Sequence, residues 1–294
     1  DSAAYSRITS ININRHTSMC YYNGQKVTHA EFIRLKHIEK IVMQYGFLDR
    51  DLHDGFAYGN IAVLKPIAGR QDFDIVQMEW GFIPDTWFGK PLDTREKVDQ
   101  WRRGYKDAKG KFIPGITTLN AIGEEMLLKN KIYRDSALHR RCLVLSSGFF
   151  EWRHYYPLNK RTNEPVKTAI KIPHYISVKG APYFFMAGIY KTWTDRETGE
   201  TVDTVSICTT AAPKGHLMAK VHNSKMRMPV ILNEDLAWDW LFEPLSEDRI
   251  TEIGTMQFPS DQMEACTIAK DFKEQLEPAK PFVYEDLPMI EAQL

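Results

Sequence analysis

Within 29–45, Phe32, Leu35, Ile38 and Val42 recur at steps of three and four among charged residues, a spacing that predicts an amphipathic helix. Farther along, the pattern changes. Leu143-Val144-Leu145, Gly148-Phe149-Phe150-Glu151-Trp152, the run 183–190 and Val205-Ser206-Ile207-Cys208-Thr209 are short apolar or alternating stretches between turn residues, and each predicts a strand. The polar segment 195–201 reads as a turn joining two of them. Residues 234–242 read as a helix with Asn233 as its cap. Residues 92–112 are polar and rich in Lys and Arg, and read as an excursion between strands. No repeat of 20–50 residues and no low-complexity linker interrupts the pattern. The expectation is one compact α+β domain.

Composition narrows this picture. With 294 residues, 43% hydrophobic and 26% charged, the chain can bury a sizeable core and is not of disordered type. Residues 1–18 are rich in Ser, Thr and Asn without a continuous apolar stretch, so they read as an N-terminal extension to a domain over 19–294, not as a signal peptide. No run is apolar enough to span a membrane. The four cysteines form no CxxC motif, and Cys142 and Cys208 sit in apolar runs where they are expected buried and unbridged. That usage suits a reducing, cytoplasmic setting. A formal net charge of zero hides an asymmetry. Residues 241–294 hold 12 acidic and 4 basic residues, which leaves the rest of the chain at +8. A basic body suits a phosphate-bearing partner, although ordinary surface charge with an acidic tail reads equally well.

Several residues could carry chemistry. Glu151 lies between Phe150 and Trp152 at the end of an apolar run, where loss of water raises a carboxyl pKa and suits it to proton transfer near neutrality; a solvent-facing Glu paired with Arg153 is the plainer reading. His222 is either a proton-transfer group or a hydrogen-bonded histidine of the fold. Asn120 is a candidate positioning group or a turn former. Glu151 and His154 have ExxH spacing, but on a strand and without a second such motif no metal site is expected.

Taken in order, these segments resemble the SOS response-associated peptidase (SRAP) family. The resemblance rests on Met19-Cys20, Trp80-Gly81-Phe82-Ile83-Pro84 with Trp87, Asn120-Ala121-Ile122-Gly123-Glu124, Gly148-Phe149-Phe150-Glu151-Trp152, Thr210-Ala211-Ala212, and His222-Asn223 followed by Arg227-Met228-Pro229-Val230-Ile231-Leu232. It implies an α+β fold around a strongly curved, barrel-like sheet flanked by helices, and a monomeric protein without metal or organic cofactor. It also implies covalent capture of abasic sites in single-stranded DNA. The α-amine of an amino-terminal Cys20 condenses with the sugar aldehyde, and its thiol closes a thiazolidine. The resemblance assigns proton shuttling to Glu151, assistance at the deoxyribose to His222 and positioning to Asn120. Trp80 and Trp87 fall to base stacking, Thr210 and Arg227 to phosphate contacts. The family is also regarded as an autopeptidase that can cleave before the cysteine, with lyase-like chemistry at the abasic site.

The chain departs from the family pattern in places. Tyr21-Tyr22 stand where Gly-Arg is usual, Val63 where Pro is usual and Ile122 where Arg is usual, and Ser224-Lys225-Met226 separate Asn223 from Arg227. Lys225 or the Arg140/Arg141 pair are the candidates to replace the absent arginines. With residues 1–19 attached, the Cys20 nitrogen is an amide and cannot form an imine. Three readings stay open: translation beginning at Met19, removal of the leader by self-cleavage, or a homologue that does not crosslink. A cysteine peptidase unrelated to DNA and a non-catalytic single-strand-binding module are the competing functions.

Overall fold

A computed structural model describes residues 20–288 and 290; the expected extension over 1–18 lies outside the described residues. After Cys20 come β1 (Tyr22–Lys26), a hairpin of β2 (Phe32–Leu35) and β3 (Ile38–Ile41), and β4 (Asp49–Asp54). The hairpin stands where helical spacing pointed to a helix over 29–45. Lys36, at φ +51, turns the chain, while Ile33 and Leu35 alternate into the core. The Tyr183 hydroxyl donates to the Phe32 carbonyl and accepts from the Arg34 N–H. Over so short a stretch, steps of two and of three to four share positions, and β-branched Ile33, Ile38 and Ile41 favour the strand.

β5 (Asn60–Pro66), β6 (Phe73–Trp80) and the short hairpin β7 (Thr86–Trp87)–β8 (Lys90–Pro91) follow. The charged excursion contains a helix, α1 (Arg95–Arg103), which the Thr94 hydroxyl caps by accepting from the Lys97 N–H. Val98 and Trp101 are its buried apolar residues. A hairpin of β9 (Gly104–Lys106) and β10 (Phe112–Pro114) completes the excursion. Then come β11 (Asn120–Ile122), α2 (Arg134–His139), β12 (Arg141–Ser146), β13 (Gly148–Tyr155), β14 (Ile170–Val178), β15 (Phe184–Thr194) and β16 (Thr201–Ala211). The chain continues through α3 (Leu217–Val221), β17 (Arg227–Pro229), β18 (Ile231–Leu232), α4 (Glu234–Phe242), α5 (Glu247–Gly254) and β19 (Met263–Thr267). The strands read from the sequence lie within β12, β13, β15 and β16. The Asn233 side chain caps α4 by accepting from the Leu236 N–H at 2.9 Å.

Five strands close on themselves. β16 pairs with β6, β6 with β5, β5 with β12, β12 with β15, and β15 returns to β16; all pairings are antiparallel except the parallel β16–β6. Closure removes the open edges a flat sheet of this composition would present. Both faces of β5 and β12 are buried over their central residues. Ile61 and Val63 belong to one apolar cluster and Ala62 and Leu64 to another, and Cys142/Val144 and Leu143/Leu145 divide in the same way. This is why the runs read as continuously apolar. All four cysteines are free, with Cys142 and Cys208 buried.

A second sheet, ordered β19-β14-β13-β1-β4, lies against the barrel. Buried amides join the two. Gln25 of β1 donates to the carbonyls of Ala62 and Leu145 at 2.9 and 2.7 Å and accepts from the Ala62 N–H at 2.7 Å. Asn23 donates to the Leu145 carbonyl and accepts from the Ser146 hydroxyl. Both amides are thus paired on their donor and acceptor sides, and they fix the register between the sheets. β1 and β13 are thereby held beside the barrel mouth where β11 begins.

Candidate active site

Four residues from four parts of the chain, Cys20, Asn120, Glu151 and His222, meet in one buried cluster. The antiparallel pairing of β1 with β13, with Asn23 opposite Phe149, carries Cys20 alongside Glu151. The Cys20 N–H donates to Glu151 Oε1 at 2.7 Å. Cys20 has φ +67, a left-handed conformation that non-glycine residues seldom adopt. It is held there by its surroundings: the Tyr21 carbonyl accepts from the Gly55 N–H at 2.7 Å, and the Asn120 amide donates to the Cys20 carbonyl at 3.3 Å. Strain of this kind persists only where surrounding contacts over-determine it.

Asn120 is placed by the parallel pairing of β11 on β16, opposite Ile207, and its backbone carbonyl accepts from the Tyr133 hydroxyl at 3.0 Å. Its side-chain oxygen is buried and has no hydrogen-bond partner among the described residues. His222 follows directly on α3 and sets its Nε2 4.0 Å from Glu151 Oε2. A buried amide oxygen left open beside one carboxyl is expensive in a finished core and useful in a site that receives a polar ligand.

Burial sets the proton inventory. Desolvation pushes Glu151 up to about 8, against which the hydrogen bond from Cys20 works in the opposite direction. His222 is pushed down to about 4, chiefly by desolvation. At neutral pH the pair is therefore a protonated carboxyl facing a neutral imidazole, not an ion pair. The Cys20 thiol is held well above its ordinary value by burial and then by the nearby Glu151 charge. It is a protonated S–H at neutral pH, with little thiolate to offer.

Asn223, not singled out as a functional residue from the sequence, clamps the site. Its side-chain oxygen accepts from the His154 N–H at 2.9 Å and its amide donates to the His154 carbonyl at 2.8 Å, so it acts as a one-residue strand partner on β13. This ties the His222 turn to the strand that carries Glu151. The available signal is an Asn directly after a candidate His. Asn223→Ala is expected to lower stability by about 1–3 kcal/mol, since both backbone groups of His154 lose that partner. Asn223→Asp, which keeps the acceptor but not the donor, should fall between the two. Thermal unfolding of both variants beside the unaltered chain checks this.

The expected DNA contacts are distributed differently. Trp80 is 1% exposed and its indole N–H donates to the Leu119 carbonyl, so it has no free face for a base and serves the core. Thr210 is also buried, its hydroxyl donating to Glu124 and to the Thr255 carbonyl. Arg227 is engaged by Glu124 through two bonds of 3.0 and 2.9 Å and further donates to the Thr209 carbonyl. The two residues expected at phosphates are thus joined through Glu124 in one internal network. Arg141 is likewise used inside the protein, on the carbonyls of Trp240 and Glu243, and Arg140 pairs with Asp135. Only Trp87, half-buried at the rim of a cavity, keeps the expected openness. Among the described residues no group of three or more His, Cys, Asp or Glu side chains could hold a metal ion, and no helix is long and apolar enough to cross a membrane.

Comparison with known proteins matches residues 53–274 to the family model described as SOS response associated peptidase (SRAP), a span that contains Asn120, Glu151 and His222 and begins after Cys20. The abasic site processing protein YoqW of Bacillus subtilis (strain 168) is 28% identical over 193 residues, 66% of this chain and 68% of that one. The abasic site processing protein YobE of the same organism is 28% identical over 246 residues, 82% of this chain and 94% of its own length. Among solved structures, a crystal structure of a protein from Bacteroides thetaiotaomicron superposes with a TM-score of 0.65 at 26% identity, covering 90% of this chain and all of that one.

Proposed function

Because the chain belongs to the SOS response associated peptidase family, we propose that it captures abasic sites in single-stranded DNA through Cys20 once that residue is amino-terminal. The observation that carries this reading is the 2.7 Å hydrogen bond from the Cys20 nitrogen to Glu151 Oε1. It sets a carboxyl, pushed up to about 8, against the one nitrogen that would become the nucleophile. Relatives called abasic site processing proteins support the substrate class.

The neutral fraction of the Cys20 α-amine attacks the C1′ aldehyde of the ring-opened sugar, and a proton passing from nitrogen to oxygen gives a carbinolamine. Glu151, protonated at neutral pH, gives its proton to the departing hydroxyl, water leaves, and the resulting carboxylate takes up the iminium N–H proton as the imine forms. The Cys20 S–H then adds across the C=N bond, sulfur to carbon and proton to nitrogen, and closes a five-membered thiazolidine. Asn120, with its free side-chain oxygen, orients the Cys20 carbonyl and a sugar hydroxyl. His222 exchanges the proton of Glu151 Oε2 across the gap between them. A thiol held up in pKa suits this addition better than thiolate attack on a peptide, which disfavours the general cysteine-peptidase reading.

The test uses two proteins, the full chain and a chain beginning at Cys20, each incubated with a single-stranded oligonucleotide carrying one abasic site. Intact masses are taken after heating. The expected result is a heat-stable adduct, one water lighter than the sum of its parts, with the shorter chain only. No adduct with either form would reject covalent capture, and an adduct formed by the uncut chain would reject the amine mechanism.

A further inference from the structure

We infer that the 86–116 segment forms a separate nucleobase pocket that holds an unpaired base of the strand flanking the lesion; the assignment of the strand rests on the function proposed above. The segment folds β7, β8, α1 and the β9–β10 hairpin around a cavity of about 700 Å³, with Trp87, Phe88, Trp101, Tyr105, Lys90 and Lys97 among its walls. That volume lies within the range of small-molecule sites and well exceeds a surface dimple. The Trp87 ring packs against Phe88 and Trp101, with ring centres 5.2 and 5.5 Å apart.

Phe88 is the most informative member. It sits at the tip of the β7–β8 hairpin with φ +47 and is followed by Gly89 at φ +74, the two-residue turn that ordinarily takes Asn-Gly or Gly-Gly. A phenylalanine there is strained, and at 72% exposed it returns nothing to the core. Tyr105 is also open, at 41%. Two exposed rings facing one cavity, one of them in an unfavourable backbone conformation, point to a flat aromatic ligand.

Charge selects among such ligands. Residues 86–116 hold 8 basic and 4 acidic side chains. Asp93 engages Lys97, and Glu79 engages both Arg95 and Arg102, which pins α1 to β6. Lys90, which lines the cavity, forms no ion pair among the described residues, and neither do Lys106, Lys109 and Lys111 of the β9–β10 hairpin that supplies Tyr105. An aromatic wall on a segment with unpaired lysines matches stacked bases on a phosphate backbone. The pocket is also close to the chemistry. Ile116 lines it, and the four residues on to Asn120 span at most about 14 Å.

The experiment measures noncovalent binding of an undamaged, fluorescently labelled single-stranded oligonucleotide to the full chain by anisotropy. Phe88→Ala with Tyr105→Ala is expected to weaken binding about tenfold, with the melting temperature unchanged because both rings are exposed. Lys109→Ala with Lys111→Ala should lower the slope of log affinity against log salt by about one for each phosphate no longer neutralised. Unchanged affinity in the aromatic double variant, or no binding of the undamaged strand by the unaltered chain, overturns the pocket. Weakened binding in that variant, together with no adduct from the chain beginning at Cys20, would instead leave the pocket standing and reject the covalent chemistry.

Discussion

A chain beginning at residue 20 and carrying Cys20→Ser is expected to form no heat-stable adduct with abasic single-stranded DNA, yet to yield a covalent product when borohydride is present. The two results separate the two nucleophiles of one residue. Serine keeps the α-amine beside Glu151, so the imine still forms and hydride traps it as a secondary amine. The hydroxyl adds to an imine weakly and reversibly, so the ring that protects the thiazolidine from heat is absent. Binding of the undamaged strand should be unaltered, because the buried Cys20 side chain is replaced by one of similar size. A heat-stable product from the serine variant would move the covalent bond away from the thiol. Loss of the borohydride product as well would move the first attack away from the amine.

The sequence discloses the fold where local and tertiary preferences coincide. β12 and β15 are apolar on both faces because the closed barrel buries both, so their runs are plain, and α4 announces itself through the Asn233 cap. The hairpin at 32–41 escapes a reading by periodicity because its turn, Lys36-His37, contains neither Gly nor Pro, and Lys36 adopts positive φ without a compositional sign. The helix at 95–103 is hidden for the opposite reason. Of its nine residues only Val98 and Trp101 are apolar, which is too few to reveal a period, although Thr94 and the terminal arginines are available as end signals. The site is legible only as a set of motifs. Nothing local brings residues 20, 120, 151 and 222 together; the β1–β13 register and the parallel β11–β16 pairing do. Trp80 shows the limit of motif reading, since an aromatic able to stack on DNA and one able to fill a core look alike until the end of β6 is seen to be buried.

Replacing Glu151 by Gln in the chain that begins at Cys20 is expected to slow adduct formation by about 10²–10⁴-fold, the usual range for losing a positioned acid–base group. The shape of the pH profile should change as well. In the unaltered chain the rate falls at alkaline pH, as Glu151, its carboxyl held above the ordinary value by burial, gives up the proton it needs to expel water. The glutamine variant should lack that falling limb and follow only the amine. Stability supplies an independent reading of the same group, made in the full chain, where the Cys20 nitrogen is a neutral amide. With a folded-state pKa raised from 4.5 to about 8, Glu151 keeps a proton that the unfolded chain has already released. Its contribution to stability is complete below about 4.5 and is lost as pH rises to about 8, at up to about 1.4 kcal/mol per pH unit. His222 runs the other way, since its lowered pKa gives a contribution present above 6.5 and lost as pH falls towards about 4. Between pH 6.5 and 8 only the carboxyl of this pair titrates. The melting temperature of Glu151→Gln relative to the unaltered chain should therefore climb through that window, by an amount equivalent to about 2 kcal/mol. A difference that stays flat would mean that Glu151 is already ionised at neutral pH. It would then serve the amine as a base from the outset, and water would have to leave with a proton from His222.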